Sequence, residues 1–334
     1  MVLQALRTLS VHRILKSLIA AAAMASAGAH AAESGPYPTR PVRIITGSVG
    51  STSDQIARFT AQKLTERLGQ QFIVDNRAGA GGTIGTEIAA KAPPDGYTLT
   101  IAHAGTHVSA VSLFKNLPYD PIRDFEPITI LMKGVTVLVV HPSVPANSVQ
   151  DLIALGKAKG GQSVTWGSAG AGTISHLTGE LFNQVTGIRF LHVPYKGAGP
   201  ALTGLLSGET HFAFLSPVTA YAQLKAGKVK AFAVSSVTRF PGTPDIPSAA
   251  EAGVPGMEAL LWFGLMAPAK TPQAIIAKLN REINDSFNRP DVKEALLKIG
   301  AIASPSTPQE MRAFIRSELA KWTPIIKASG IRAD

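Results

Sequence analysis

The chain has 334 residues, enough for two domains of ordinary size. Hydrophobic residues make up 45% and charged residues 16%, which excludes an intrinsically disordered chain. The absence of cysteine excludes disulfides, thiolate metal sites and a cysteine nucleophile, and the formal charge of +10 lacks the basic clusters with interleaved aromatics of a nucleic-acid surface.

At the N-terminus Arg7, Arg13 and Lys16 precede an apolar run from Leu18 to Ala29, followed by Ala29-His30-Ala31. The run is shorter than the roughly 20 residues that span a bilayer, but it suits a secretory signal with a small-residue cleavage site. Export and cleavage after Ala31 are expected, with residues 1–31 as the signal peptide.

Beyond a short Pro/Gly segment, "VRIIT" reads as a buried strand. A small-residue loop follows, then a helix with Ile56, Phe59, Leu64 and Leu68 near 3.6 spacing. "FIVDN", a glycine-rich turn, a helix to Lys91, the turn Pro93-Pro94-Asp95-Gly96 and the strand "YTLTIA" continue the alternation. "VTVLVVHP" is a further apolar strand, with a helix from Ser148 to Ala158 after it. From "SVTWGSAGAG" the pattern restarts, with a helix carrying Leu177, Leu181 and Val185 and strands "FLHVPY", "HFAFLS", "KAFAVSS" and "WFGLMAP". Thr271-Pro272 and Thr307-Pro308 each place a capping hydroxyl ahead of a proline, and Glu310 completes a capping box. Strand–loop–helix alternation written twice predicts an α/β fold of two lobes, each a mostly parallel sheet flanked by helices. The expected division is 36–138 plus 263–334 for a discontinuous first lobe and 139–262 for the second, with the terminal helices packed back on the first.

Each half carries a Gly-Ser-small-Gly stretch between a strand and a helix: Gly47-Ser48-Val49-Gly50 and Gly167-Ser168-Ala169-Gly170. One reading is a tight turn with an ordinary N-cap. The other is a cradle for an anion, because a helix N-terminus offers free N–H groups and small residues let a ligand approach the backbone. Two matching turns in corresponding places favour the cradle, with Ser51, Ser53, Thr173 and Ser175 as extra hydroxyl donors. Asp54 fits an N-cap role or an ammonium partner. No nucleotide-binding, nucleophile-elbow or zinc-protease motif occurs. His103 and His107 are four apart, but Gly105 between them and the lack of a nearby acid suggest a loop rather than a metal site. No catalytic residue, cofactor or metal is expected.

The order of motifs from about Tyr37 to Ile331 resembles the Bug-type periplasmic receptors of tripartite tricarboxylate transporters. The matching pieces include "YPTRPVRII", "QFIVDNRAGAGGTIGTEIAAKAPPDGYTL", "LPYDPIRDFEPIT", "WGSAGAGTISHLTGELF", "HVPYKGAGPAL", "DIPSAAEAGVPG" and "WFGLMAPAKTP". The resemblance implies a Venus-flytrap (type II periplasmic-binding-protein) fold that closes over a small carboxylate, with crossovers near Val137–His141 and near Trp262–Pro268. It implies ligand positions at Val49, Gly50, Ser51, Asp54 and Thr106 on the first lobe. On the second it implies Ser168, Ala169, Gly170, Gly172, Thr173, His176, Tyr195, Lys196, Gly197, Leu215 and Ser216. Relatives often have an acid where this chain has Leu215 or His211, so the implied ligand lacks an amino group. The implied partners are the small and large membrane subunits of such a transporter, with the receptor itself a monomer in the periplasm. A ligand-sensing receptor for a signalling system on the same fold is the alternative.

Overall fold

A computed structural model describes residues 37–298 and 300–331; the expected signal peptide lies outside them. Val42–Thr46 (β1) is a run of mostly β-branched residues with little exposure, as a central strand requires. Thr52–Leu68 (α1) starts at a serine cap and stops at Gly69, which takes the left-handed conformation (φ 68°) that ends many helices. Phe72–Asn76 (β2), Thr83–Ala90 (α2) and Thr98–His103 (β3) complete the first parallel unit. Gly105–Ser109 is not a loop: it winds into a π-helical turn that runs into Ala110–Leu113 (α3).

Phe125–Val135 (β4) and Val137–Val140 (β5) follow, then Val149–Lys159 (α4), Thr165–Ser168 (β6), Ile174–Thr186 (α5), Leu191–Pro194 (β7) and Ala198–Leu206 (α6). Phe212–Leu215 (β8), Pro217–Lys225 (α7), Lys230–Val234 (β9) and Leu260–Pro268 (β10) come next. Gln273–Phe287 (α8), Pro290–Lys298 (α9), Ala301–Ala303 (β11) and Pro308–Ser329 (α10) end the described chain.

The strands form two sheets, ordered β11-β4-β10-β3-β1-β2 and β7-β6-β8-β5-β9. Each sheet belongs to one lobe, and one cluster of buried side chains runs through both, from Ile45 and Ile130 to Trp166 and Phe212. The expected parallel pairing holds for β2-β1-β3 and for β7-β6-β8. The strands that carry the chain between lobes run antiparallel to their neighbours, so both sheets are mixed. The reason is connectivity: the chain leaves the first sheet along β4 and returns along its neighbour β10 in the opposite sense.

The passage between sheets lies at Thr136, since Val137 and Leu138 already pair with β8 and β9. The return lies ahead of Leu260, which already pairs with Val135. These points are a few residues earlier than the sequence suggests. Both are fastened by one buried residue, Ser235. Its hydroxyl accepts from the Thr136 amide at 2.9 Å and donates to the Ala259 carbonyl at 2.7 Å. Its amide and carbonyl bond the same two residues.

Helix α8 packs on β4, as expected of a first-lobe helix, but α10 packs both on β4 and on α5 of the second lobe. Thr307 and Glu310 form the full capping box of α10. Thr271 does not cap α8; its hydroxyl donates back to the Pro268 carbonyl at 2.8 Å.

Candidate functional site

The two small-residue turns lie at the carboxyl ends of β1 and β6, where an open α/β sheet receives ligands. Their local geometry is the same, but with a pairing different from the one the Gly-Ser-small-Gly pattern suggests. In the first turn the Ser51 hydroxyl donates to the Ser48 carbonyl at 2.7 Å, accepts from the Asp54 amide at 3.3 Å and meets the Ser53 hydroxyl at 2.9 Å. In the second the Thr173 hydroxyl donates to the Gly170 carbonyl at 2.7 Å, accepts from the His176 amide at 3.4 Å and meets the Ser175 hydroxyl at 2.9 Å. Ser51 has φ −69° and ψ 162°, Thr173 φ −69° and ψ 160°. The preceding glycines, Gly50 and Gly172, have φ 77° and 73°. Gly50 is therefore the counterpart of Gly172, not of Gly170.

The copy extends one helical turn inward with different chemistry at the matching places. Asp54 accepts from the Gly50 amide at 2.9 Å and pairs with Arg58 one turn on. His176 accepts from the Gly172 amide at 3.1 Å through Nδ1, which leaves its proton on Nε2, 3.7 Å from Glu180 one turn on. Burial of Asp54 works against its charge, but hydrogen bonds from Asn76, the Gly50 amide and Arg58 outweigh it and hold the carboxyl below the ordinary range. Asp54 is thus an occupied structural anion.

Several amides expected as ligand donors are occupied in the same way. Gly50 and Gly172 bind their own helices, the Ala169 amide donates to the Ser175 hydroxyl at 2.9 Å, and Gly170 donates to Ser168 Oγ at 3.1 Å. Among the described residues, the first-turn N–H groups of Thr52 and Ser53 and of Ile174 and Ser175 have no partner. These four amides are the donors the turns leave for a ligand, because the Ser53 and Ser175 hydroxyls spend their single protons on Ser51 and Thr173, whose own protons go to the Ser48 and Gly170 carbonyls.

Behind the second turn, Ser168 is fully buried and its hydroxyl lies 2.7 Å from His192 Nε2. Trp166, His192 and His176 stack with ring centroids 4.2 and 3.9 Å apart. Burial, with His176 alongside, pushes the His192 pKa down to about 3, so His192 is packed and neutral. Its role in shaping the turn gives no sequence signal, because His192 lies in an ordinary strand pattern.

The remaining candidate positions are placed as follows. Val49 and Lys196 are exposed. The Gly197 amide donates to the Ala169 carbonyl at 3.1 Å and the Tyr195 amide to the Ser168 carbonyl at 3.0 Å, so the β7–α6 turn is tied to the β6–α5 turn. The Tyr195 ring turns inward against Gly167 and Gly204, and burial raises its pKa to about 12. Thr106 is 1% exposed, with its hydroxyl 2.9 Å from His107 Nδ1. Leu215 is 2% exposed and belongs to the second lobe's core with Val137, Leu205 and Ala220. Ser216 starts α7 and pairs with the Thr219 hydroxyl at 2.8 Å. His211 precedes β8, at the opposite strand end from Leu215, and accepts from the Thr165 amide at 3.0 Å.

The lobes touch beside these turns. The Ser109 hydroxyl, from the π-helical turn of the first lobe, donates to the Gly172 carbonyl at 2.7 Å. A Cβ on Gly172 would stand 2.3 Å from Leu113 Cδ1 and would displace that side chain, and its φ of 73° favours glycine in any case. A surface groove of about 340 Å³ lies elsewhere, between α5 and α10, lined by Glu180, Asn183, Arg189 and Ile325 among others.

The model of the tripartite tricarboxylate transporter family receptor matches residues 56–331. The chain belongs to this receptor family. Protein BugT of Bordetella pertussis is 36% identical over 298 residues, covering 89% of this chain and 91% of its own. Among solved structures, Rpa4515 of R. palustris with adipate is 35% identical with a TM-score of 0.82, covering 89% of this chain and 99% of its own. MatC (Rpa3494) from Rhodopseudomonas palustris with bound malate is 32% identical with a TM-score of 0.78, covering 87% and 100%. The receptor is thus similar along nearly all of its described length to two-lobed periplasmic binding proteins, a class that binds solutes rather than one defined by catalysis.

Proposed function

We propose that this receptor captures a small organic carboxylate between its lobes in the periplasm and delivers it to the small and large membrane subunits of a tripartite tricarboxylate-type transporter. In this reading the chain is exported, its signal peptide is removed near Ala31, and it acts as a monomer. The observation that carries the reading is the pair of structurally equivalent turns, each leaving two first-turn amides for an anion. The adipate and malate bound by similar receptors support a carboxylate ligand.

Micromolar affinity needs about −8 kcal/mol. Hydrogen bonds to a charged group contribute roughly 1.5–3 kcal/mol each, and two helix ends add roughly 0.3–1 kcal/mol apiece. The four free amides and two helix ends thus supply roughly 7–14 kcal/mol, which reaches micromolar affinity at the upper end of that range once association costs of at least about 4 kcal/mol are subtracted. Asp54 is the only acid among the candidate positions and is already bonded to Asn76, Gly50 and Arg58, which leaves no partner for a ligand ammonium. The preferred solute is therefore a carboxylate without an amino group.

Thermal-shift screening against malate, adipate, aromatic acids and the common amino acids, followed by calorimetry, tests this. A true ligand at 100 times its dissociation constant raises stability by about 2.7 kcal/mol. Tight binding of amino acids with no response to any plain carboxylate would sink the reading.

A further inference from the structure

We propose that His103 is a ligand-contacting, specificity-determining residue of the first lobe, its Nε2–H donating to an oxygen of the captured carboxylate. The inference rests on the receptor reading above and deepens it.

His103 is the last residue of β3, which lies between β1 and β10 in the sheet. It therefore stands at the carboxyl end of a parallel strand, beside the first-lobe turn. Its Nδ1 accepts from the Gly105 amide at 3.1 Å. That bond fixes the neutral tautomer, because an accepting Nδ1 leaves the proton on Nε2. Among the described residues Nε2 has no hydrogen-bond partner, and the residue is only half-buried. The pKa is pushed down to about 4 by burial, so at neutral pH the ring is uncharged and offers one N–H.

The ring is also held in place. A Cβ on Gly105 would lie 2.8 Å from Cε1 and 2.9 Å from Nδ1, so this glycine makes room for the imidazole. Phe263 on the crossover strand packs beside it at 5.7 Å between centroids. A positioned donor with one open valence is what solute recognition needs, since little ordering remains to be done on binding. Thr106, the expected contributor from this segment, is by contrast enclosed, and its hydroxyl faces His103 and His107. A neutral N–H favours an oxygen acceptor over an ammonium or a methyl group, so this residue filters solutes as well as holding them.

The test uses His103→Asn and His103→Gln, with malate and adipate as probes in calorimetry on the purified protein. Asparagine retains an acceptor near Nδ1 for the Gly105 amide but lacks the distal donor. Glutamine restores a distal N–H. The expected result is a loss of about tenfold or more in affinity for His103→Asn at an unchanged melting temperature. Partial recovery is expected in His103→Gln. In the unaltered protein, the imidazole ¹⁵N spectrum should show the Nε2–H tautomer, and that signal should shift on saturation with the bound probe. Wild-type affinity in His103→Asn, or an Nε2–H signal that saturating probe leaves unmoved, overturns the assignment while the receptor reading stands. Should His103→Asn fail to fold, the spectrum of the unaltered protein decides alone. If the unaltered protein binds no carboxylate, the receptor reading falls and this inference falls with it.

Discussion

Gly50 and Gly172 hold the same place in the two turns but face different surroundings. Both have φ between 70° and 80°, a conformation that costs an L-residue about 1–2 kcal/mol. A Cβ on Gly50 would meet nothing within 4 Å, whereas one on Gly172 would run into Leu113 from the other lobe. Gly50→Ala should therefore lose only the backbone contribution. Gly172→Ala should lose about 1–3 kcal/mol more, the usual range for overpacking, and should weaken ligand binding by pushing the lobes apart. Urea unfolding midpoints would check the first point and calorimetry the second; equal losses for the two variants would refute it. The sequence made both turns legible but hid their true pairing. Similarity of small residues matched Gly47–Gly50 to Gly167–Gly170, while the hydrogen bonds match Ser51 to Thr173. The counterparts Asp54 and His176, and likewise Arg58 and Glu180, have unlike chemistry, so no pattern of residue types relates them. His103 was passed over for a similar reason. Its importance comes from the Gly105 amide fixing its tautomer, which spacing cannot reveal.

Among the elements, α10 links the lobes and is itself anchored by one acid. Glu318 is buried, and its Oε2 accepts from the indole N–H of Trp262 on β10 at 3.2 Å and of Trp322 at 3.1 Å. Burial pushes its pKa up, and the two indoles oppose this without cancelling it. Glu318→Gln keeps a carbonyl acceptor and should change stability little. Glu318→Leu leaves two buried donors unmatched and should cost roughly 2–6 kcal/mol, at about 1–3 kcal/mol for each. Chemical denaturation distinguishes them, and a leucine variant as stable as the glutamine variant would show that the indoles find other partners. Strands with clean apolar runs, such as β1 and β5, were legible from sequence. The eleven-residue β4 was not, because Pro127, Lys133 and Gly134 interrupt its pattern. Its identity comes from pairing with β10 and β11, contacts that lie far away in the chain. The two Thr-Pro starts divide similarly. Thr307 has Glu310 three residues on and caps its helix, whereas Thr271 has Ala274 there and bonds backward instead.

For the whole molecule, stability should fall as the medium turns acidic, through histidines in both lobes. His103 and His107 lie in the first lobe and His192 in the second, with pKa values pushed down by burial to about 4, 3 and 3. In the unfolded chain each returns to an ordinary value near 6.5. Above that pH neither state is protonated and the histidines leave stability untouched. Below it the unfolded chain takes up protons that the folded chain refuses, so stability drops from about pH 6.5 down toward the folded values. The limiting slope is about 1.4 kcal/mol per pH unit for each histidine. Asp54, with a lowered pKa, affects stability only as pH falls below its unfolded value of 3.8, outside this window. Glu318 runs the opposite way, since its raised pKa favours the folded state as acidity increases, but it is one group against these three and His211, whose pKa burial also lowers. Melting temperatures measured at pH 7, 6 and 5 should therefore decline. His107 packs against Phe125 and Tyr119, and its Nε2 is buried without a partner, so His107→Phe removes one titrating group at the loss of the Thr106 contact. That variant should start less or equally stable at pH 7 yet lose less between pH 7 and 5. A flat profile in the unaltered protein, or the same decline in the variant, would show that these rings are open to protons in the folded state. A bound solute should offset the decline without changing its slope wherever its affinity is independent of pH, because ligand linkage adds to the folded state whatever the protonation of the unfolded one.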